Sequence, residues 1–373
     1  MGICQAFQAN NQIIYVCYRH HSVTISYMSM KKRRGGRHGS GASMADVAKL
    51  AGVSAQTVSR VANGSDLVRP ETRDKVIEAM QMLGYSPNVA ARALRQGRFK
   101  TIGLLGHHFE RTGEALTTNG LITAATAHDY AVTIVTVQES RIDGWDDAAT
   151  RLSSQAIDGL VILRAEHTPE QLSLPVGFPV AVSDSRFAGM YSAVTLDHES
   201  GSIAATNHLL DLGHRQVHHL AGPANSDPAN ARLEPWRAVL RQRGIPAPEP
   251  FHGDWTMNSG YEIGKRIADQ GGVTALYCAN DEMAIGAMHA FHDVGLRVPE
   301  DISVVGFDDL AVAEHLPVPL TTVRQDFHAI GESLFELVVG QIEEDTGTAQ
   351  RRRVVVPTTF VVRSTTAAPS RVI

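Results

Sequence analysis

Cysteine is scarce in this chain: three residues in 373, Cys4, Cys17 and Cys278. That is too few and too scattered for a disulfide framework or a Cys-ligated zinc site, and it fits a reducing compartment. No run of ~18 or more apolar residues occurs, which excludes a membrane-spanning helix at the sequence level. A secretory leader is missing too: Gln12 to Val16 is apolar but short, polar residues interrupt the next stretch, and no small-residue cleavage site comes after it. Net charge of one sign is also lacking, since 34 Lys+Arg against 39 Asp+Glu leave −5. Taken whole, that sum argues against a polyanionic partner. The remaining composition, 43% apolar and 20% charged residues, is ordinary for a globular protein, with length for two or three domains.

The distribution of charge reverses the inference from its sum. Met1 to Met30 carries only Arg19. Lys31 to Lys100 holds 14 basic and 5 acidic residues, an excess of nine positive charges, while Thr101 to Ile373 holds 19 basic and 34 acidic, an excess of fifteen negative ones. A basic module on an acidic body suggests a polyanion-binding segment joined to something else; the plain alternative is a basic tail with no folded role.

Little periodicity marks the first thirty residues, and Lys31-Lys32-Arg33-Arg34-Gly35-Gly36-Arg37 reads as a disordered basic run; Met28, Met30 and Met44 are alternative starts. Compact helices come next. Ser43 caps a helix over Met44–Ala51 with Val47, Leu50 and Ala51 at helical spacing, and Ser54 caps a second over Ala55–Ala62 with Val58 and Val61 inward. Pro70 opens a third, striped by Val76, Ile77, Met80 and Leu83 and stopped by Gly84. Beyond Gly97, strand-like runs such as 101–106, 131–137, 158–163, 273–279, 302–306 and 354–362 alternate with helical patterns such as 200–212, 229–243, 258–269, 282–294 and 327–342. That alternation implies parallel sheets with helices on both faces, and about 270 residues favour two similar lobes with a ligand cleft at the strand ends.

Two short helices joined at Gly52-Val53-Ser54 fit a helix-turn-helix, whose second helix enters the DNA major groove. Its outward residues are Ala55, Gln56, Ser59 and Arg60: Gln pairs with adenine, Arg with guanine, and Ala touches a thymine methyl. Ser54 and Thr57 suit phosphate oxygens, which set register without reading bases. An ordinary helical hairpin with a polar face is the alternative, and the local positive charge counts against it. Asn88 caps a two-turn stretch of small residues including Ala91, too short to stand alone in water, with Leu94 placed to wedge into a base step. A plain interdomain linker explains that stretch equally well.

The body offers no catalytic motif. Gly260-Tyr261-Glu262-Ile263-Gly264-Lys265 falls one residue short of a phosphate loop and Arg266 replaces its Ser/Thr; the seventeen histidines match no zinc spacing and read as surface or core residues. Polar residues do recur just after strands: Asp184, Asn280-Asp281 and Asp308-Asp309, joined by Arg232 and the aromatics Trp255, Phe307 and Phe327. Carboxylates, an amide and a guanidinium beside aromatic walls suit a neutral polyol such as a sugar, because each hydroxyl both donates and accepts. Helix N-capping explains each Asp or Asn singly; the set jointly favours a site.

The run Asp46-Val47-Ala48-x-x-Ala51-Gly52-Val53-Ser54-x-x-Thr57-Val58-Ser59-Arg60-Val61, continued by Gly84-Tyr85-x-Pro87-Asn88 and Ala91-Arg92-x-Leu94, resembles the DNA-binding headpiece of the LacI/GalR family of transcriptional regulators. Leu220-Ala221-Gly222-Pro223, Ala279-Asn280-Asp281, Asp301 to Asp309 and Leu320-Thr321-Thr322-Val323-x-Gln325-Asp326-Phe327 resemble that family's periplasmic-binding-protein-like core. The resemblance covers about 320 of the 373 residues. It implies an all-α helix-turn-helix headpiece (43–86), a hinge helix and linker (87–100), a two-lobed α/β core (101–366) and a tail (367–373); residues 1–42 before them read as an unstructured, disordered basic extension or a mis-called start. Ala55, Gln56 and Arg60 would then read bases, Leu94 would be the minor-groove lever, and Asp184, Arg232, Asn280 and Asp308 would hold sugar hydroxyls. Trp255 would stack on the sugar, with Gln325 and Phe327 nearby. His107 and Arg164 occupy first-lobe positions that face the ligand in relatives and differ here, and Pro235 replaces a usual Gly. No leucine-rich C-terminal helix follows Arg363, so a homodimer rather than a tetramer is expected.

The function implied is a cytoplasmic repressor that binds palindromic operator DNA under control of a small, galactoside-like ligand, with no cofactor, metal, membrane or catalytic residue. A purine- or phosphosugar-responsive regulator, a same-fold sugar transport or sensing protein and, more remotely, a sugar-cleaving enzyme are the alternatives.

Overall fold

The computed structural model describes residues 3–9, 12–19, 22–29, 42–62, 65, 67–85, 97–137, 144–163, 172–183, 186–344 and 351–370. They fall into two compact units, residues 1–88 and 89–373.

In the first unit, β1 (Ile3–Ala9), β2 (Gln12–Arg19) and β3 (Ser22–Ser29) form an antiparallel meander, pairing Phe7 with Ile14, Ile14 with Tyr27 and Val16 with Ile25. The unstructured extension expected over 1–42 is corrected for these strands. Their β-branched and aromatic residues, with two-residue connections, are the hairpin signal that the weak periodicity hid. The basic run 31–37 lies outside the described residues.

Three helices follow: α1 (Met44–Ala51), α2 (Ala55–Ala62) and α3 (Pro70–Leu83). Ser43 Oγ accepts from Asp46 N–H while the Asp46 carboxylate accepts from Ser43 N–H at 2.9 Å, a reciprocal cap, and Gly52 ends α1 at φ 66°. Val47, Ala48, Val58, Val76 and Ala79 make the core. Leu50, Ile77 and Leu83, expected inward, are 51%, 40% and 36% exposed, because so small a domain has too little interior to cover a full stripe on each helix.

The second unit begins with β4 (Thr101–Gly106), α4 (Thr112–Ala127), β5 (Ala131–Thr136), α5 (Gly144–Ser153), β6 (Gly159–Leu163), β7 (Val180–Ser183) and β8 (Ser192–Leu196). It continues with α6 (His198–Asp211), β9 (His218–Ala221), α7 (Asp227–Gln242), β10 (Phe251–His252), α8 (Met257–Gln270), β11 (Ala275–Cys278), α9 (Asp281–Asp293) and β12 (Ser303–Val305). Last come β13 (Thr322–Arg324), α10 (Phe327–Glu344), β14 (Arg353–Val356) and β15 (Thr359–Val361).

Two parallel sheets result, as the alternation implies. The first lobe has strand order β14-β8-β7-β6-β4-β5 and the second β10-β9-β11-β12. Both faces of each sheet are covered. In the first lobe Leu104 and Val161 meet Leu121 of α4 and Leu334 of α10, while Leu105 and Ile162 meet Trp145 and Leu152 of α5. In the second, Leu276 and Val304 meet Ile263 and Phe291, while Tyr277 and Val305 meet Trp236 and Leu209.

The chain crosses between lobes three times: from β8 to α6, from β13 to α10 and from β14 to β15. β13 and β15 pair antiparallel, and the apparent single strand 354–362 is divided between the lobes at Pro357. The phosphate-loop-like stretch lies inside α8, where Gly260 abuts the backbone of Met283 while Gly286 of α9 abuts that of Met257. These glycines bring two helices close; they cradle no phosphate. Residues 367–370 are not a free tail, since Ala367 N–H donates to Ser303 Oγ at 3.0 Å and Ser370 Oγ donates to Glu300 O at 2.6 Å.

Candidate functional site

In the headpiece, Ser54 Oγ accepts from Thr57 N–H at 3.1 Å and lies 3.0 Å from Thr57 Oγ1, starting α2 with a side-chain cap. Val58 faces the core, and Ser54, Ala55, Gln56 and Arg60 are exposed, with Thr57 and Ser59 half-buried. The outward set inferred from the sequence thus forms one face of one helix. Ser54 and Thr57 are partly engaged in capping, leaving their remaining lone pairs and protons to any phosphate contact. Asn88, Ala91 and Leu94 lie outside the described residues.

In the second unit, a small space between the lobes is lined by Arg111, Thr112 and Glu114 from the start of α4 and by Arg232, Trp255, Asn280, Glu282 and Asp308. Arg232, on α7, is 1% exposed. Its Nη1 donates to Ala279 O and lies 3.7 Å from Asp308 Oδ1, its Nε donates to His198 Nδ1 at 3.3 Å, and its guanidinium sits 4.1 Å over the Phe307 ring and 5.5 Å from the Trp255 ring. Hydrogen bonds and aromatic faces together hold this buried cation in place.

Asn280 serves two purposes. Its Oδ1 caps α9 by accepting from Met283 N–H at 3.0 Å, and its Nδ2 donates to Trp255 O at 2.9 Å. Capping and cavity lining, set against each other in the sequence, coincide here. Trp255 has φ 76°, and its ring lies against Gly222, where an added Cβ would come within 2.5 Å of it. Only glycine leaves room for the ring there.

Asp308 and Asp309 have φ of 130° and 58°, a backbone region that L-residues adopt only when their surroundings impose it. Asp309 supplies that constraint: its carboxylate binds Arg324 Nε and Arg363 Nη2, both at 2.6 Å. The two arginines belong to the lobe-crossing strand β13 and to the segment just after β15. Gln325 Nε2 donates to Asp308 Oδ1. Behind the loop, Asp281 accepts from Thr322 Oγ1 at 2.5 Å and Leu310 N–H at 2.8 Å, and burial pushes its carboxyl up to about 6.

Of the effector residues expected from the sequence, the structure brings together Arg232, Trp255, Asn280 and Asp308, with Gln325 on Asp308 and Phe307 under Arg232. Phe327 belongs to the first-lobe core, and His107 is buried edge-on against Trp145 with ring centroids 5.5 Å apart; neither borders the cavity. Both lie near the strand ends, but packing turns their rings into the lobe. Arg164 and Asp184 lie outside the described residues. The sequence reading missed Arg111, Thr112, Glu114 and Glu282, polar residues at helix starts that look like ordinary first-turn charges and caps.

Thr112 Oγ1 donates to Glu282 Oε1 at 2.5 Å, tying one lobe to the other at the cavity. The enclosed space is about 20 Å³, room for roughly one water, whereas small-molecule pockets run to roughly 300–1,000 Å³. The cleft is therefore closed, and a sugar requires the lobes to part. A larger groove of about 850 Å³ borders Asp197, Glu199, Asp227, Glu234, Arg241 and Arg353, and none of the described effector candidates lines it. Among the described residues no three His, Cys, Asp or Glu side chains gather as a metal site, and no helix is long and apolar enough to cross a membrane.

Comparison with known proteins matches residues 43–88 to "Bacterial regulatory proteins, lacI family" and residues 206–366 to a "Periplasmic binding protein-like domain". The lactose operon repressor of Escherichia coli is 33% identical over 329 residues, covering 87% of this chain and 91% of that repressor. This chain belongs to the lacI family. The regulator CelR of Thermobifida fusca is also 33% identical, over 338 residues, covering 85% of this chain and 96% of the relative. A PurR repressor of Pasteurella multocida is 32% identical over 314 residues, covering 81% of this chain and 92% of its own. Among solved structures, a lac repressor dimer bound to operator and the anti-inducer ONPF matches with a TM-score of 0.78 at 31% identity, over 88% of this chain and all of that one. A CelR–cellobiose complex matches with a TM-score of 0.64 at 30% identity, over 87% of this chain and 99% of that one. Family membership accounts for the helix-turn-helix headpiece and the two-lobed core; the family match begins at residue 43, after β1–β3.

Proposed function

We propose that this protein is a cytoplasmic transcriptional repressor that binds palindromic operator DNA as a homodimer and is controlled by a small, sugar-like ligand in the cleft. One observation carries the reading: a single chain joins an exposed Ala55–Gln56–Arg60 face on α2 to a cavity where Arg232, Trp255, Asn280 and Asp308 meet. The first reads base edges and the second suits hydroxyl groups. The solved relatives support both halves, one being a dimer on operator DNA and another a cellobiose complex.

Ser54, Thr57 and Ser59 take the phosphate and flanking contacts. Asn88, Ala91 and Leu94 form the hinge, by likeness to the relatives. No residue is given a catalytic role, in keeping with relatives that are named as repressors and regulators. The ligand acts by binding the open and closed arrangements of the lobes unequally, and it shifts operator affinity by that difference alone.

The test is operator retention with and without sugar. Full-length protein is mixed with duplexes from its own upstream region in the presence of lactose, cellobiose, galactose or glucose. One upstream duplex is expected to bind in preference to a scrambled one, with a sugar changing its affinity about 5- to 150-fold. Equal binding of upstream and scrambled duplexes contradicts the DNA half of the reading.

A further inference from the structure

The chain enters the core at β4, in the first lobe, whereas Arg232, Trp255, Asn280 and Asp308 belong to the second. A ligand's effect at Asp308 must therefore cross between the lobes before it reaches the operator-binding segment. Of the three crossings, the one from β13 to α10 runs beside Asp308. Asp308 N–H donates to Val323 O at 2.8 Å, and Gln325 N–H donates to Asp308 O at 3.2 Å. The neighbouring Asp309 does not border the cavity, yet its side chain is only 6% exposed.

Two arginines account for that burial. Arg324 Nε donates to Asp309 Oδ2 at 2.6 Å, and Arg363 Nη2 lies 2.6 Å from Asp309 Oδ1. Arg363 also holds the chain leading into β13, its Nη1 donating to Leu320 O at 2.8 Å and its N–H to Thr321 Oγ1 at 2.9 Å. From the α9 side, Asp281 accepts from Leu310 N–H and from Thr322 Oγ1. Two carboxylates thus fasten one loop, 308–310, to one strand. The loop's positive φ values are costly, and charge-assisted bonds of this length are strong enough to maintain them.

Resting on the proposed effector cleft, we infer that Asp309 is the positioning residue that couples a ligand at Asp308 to the lobe-crossing strand β13. By locking the Asp308 loop to Arg324 and Arg363, it makes the loop and the crossing move as one piece. Asp309 itself touches no ligand. Without its charge the two arginines lose their shared anchor, and a ligand held by Asp308 no longer biases the arrangement of the lobes. Asparagine at 309 keeps the shape and tolerates positive φ, so Asp309→Asn isolates the charge.

The experiment measures affinity of the full-length protein for its upstream duplex by fluorescence anisotropy, without sugar and at saturating lactose, cellobiose, galactose or glucose. Saturation, followed by tryptophan fluorescence, separates coupling from affinity. A variant that only binds sugar less well still reaches the wild-type ratio of the two duplex affinities, whereas broken coupling lowers the ratio itself. Asp309→Asn is expected to bind the duplex without sugar and to bring the ratio from about 5- to 150-fold towards one. Arg324→Gln, the milder change because that side chain is 56% exposed, should lower the ratio in the same direction and decides the matter if Asp309→Asn fails to fold. The double variant should lose no more than Asp309→Asn alone, since both remove one interaction. Wild-type ratios at saturation in the variants overturn the inference and leave the effector cleft standing. A wild-type protein that binds none of the four sugars overturns the effector reading, and this inference with it.

Discussion

At the residue scale, chemistry was legible in the sequence wherever a side chain's type and its position on an element both pointed one way. Gln56 and Arg60 read as outward residues of a second helix because Val58 and the Ser54 cap fix the helix and its phase, and both are exposed. Arg60→Ala is expected to weaken operator binding by about 1–3 kcal/mol per half-site, seen by fluorescence anisotropy at fixed salt, with the thermal midpoint of the protein unmoved. A loss of folding in that variant would place Arg60 in the headpiece core rather than on DNA. The cleft was less legible. Arg232 and Asp308 stood out as polar residues at strand ends, but Glu114 and Glu282 did not, because an acidic residue in a helix's first turn is the commonest of signals. Only the tertiary fold brings those two turns face to face. His107 and Phe327 stand away from the cavity for the converse reason: position near a cleft does not fix where a ring points.

At the element scale, strongly patterned helices such as α8, α9 and α10 emerged within a few residues of their observed ends, whereas α4 and α5 did not. The α4 sequence, TGEALTTNGLITAATA, is rich in Thr, Ala and Gly and has no strong apolar stripe, so its helical state is imposed by packing against α10 and the sheet. The N-terminus of α4 then gains a function, since Thr112 bridges to Glu282 on α9. Thr112→Val removes that bridge with little change of shape. Ligand association followed by stopped-flow tryptophan fluorescence should accelerate by about tenfold, and an unchanged rate would show that the bond does not gate the cleft. The α8–α9 contact makes a separate prediction. Gly286→Ala puts a methyl group against the Met257 backbone and should lower urea-unfolding stability by about 1–3 kcal/mol.

At the scale of the whole molecule, the net charge of −5 averages a basic DNA-facing segment with an acidic core. The acidic excess on the core discourages it from lying along DNA and leaves contact to the headpiece. The core also carries a pH dependence. Burial lowers the imidazoles of His208, His214 and His218, and that of fully buried His219 to about 3 from 6.5. These rings stay neutral in the fold, and the unfolded chain takes up protons first. Their contribution is therefore complete above about pH 6.5 and is lost as pH falls, down to about 3 for His219. Between pH 7 and about pH 5 this ring alone should remove about 2 kcal/mol from urea-measured stability, and His219→Gln should flatten the decline.

The central claim, a sequence-specific regulator acting as a dimer, is tested most directly by selecting full-length protein against randomised duplex DNA and titrating salt on the recovered sequence. The expected outcome is an inverted repeat, with log affinity falling steeply and linearly with log salt as several phosphate contacts release their counterions. Recovery of no common sequence at ~50 mM salt, where phosphate contacts are strongest, would contradict the claim.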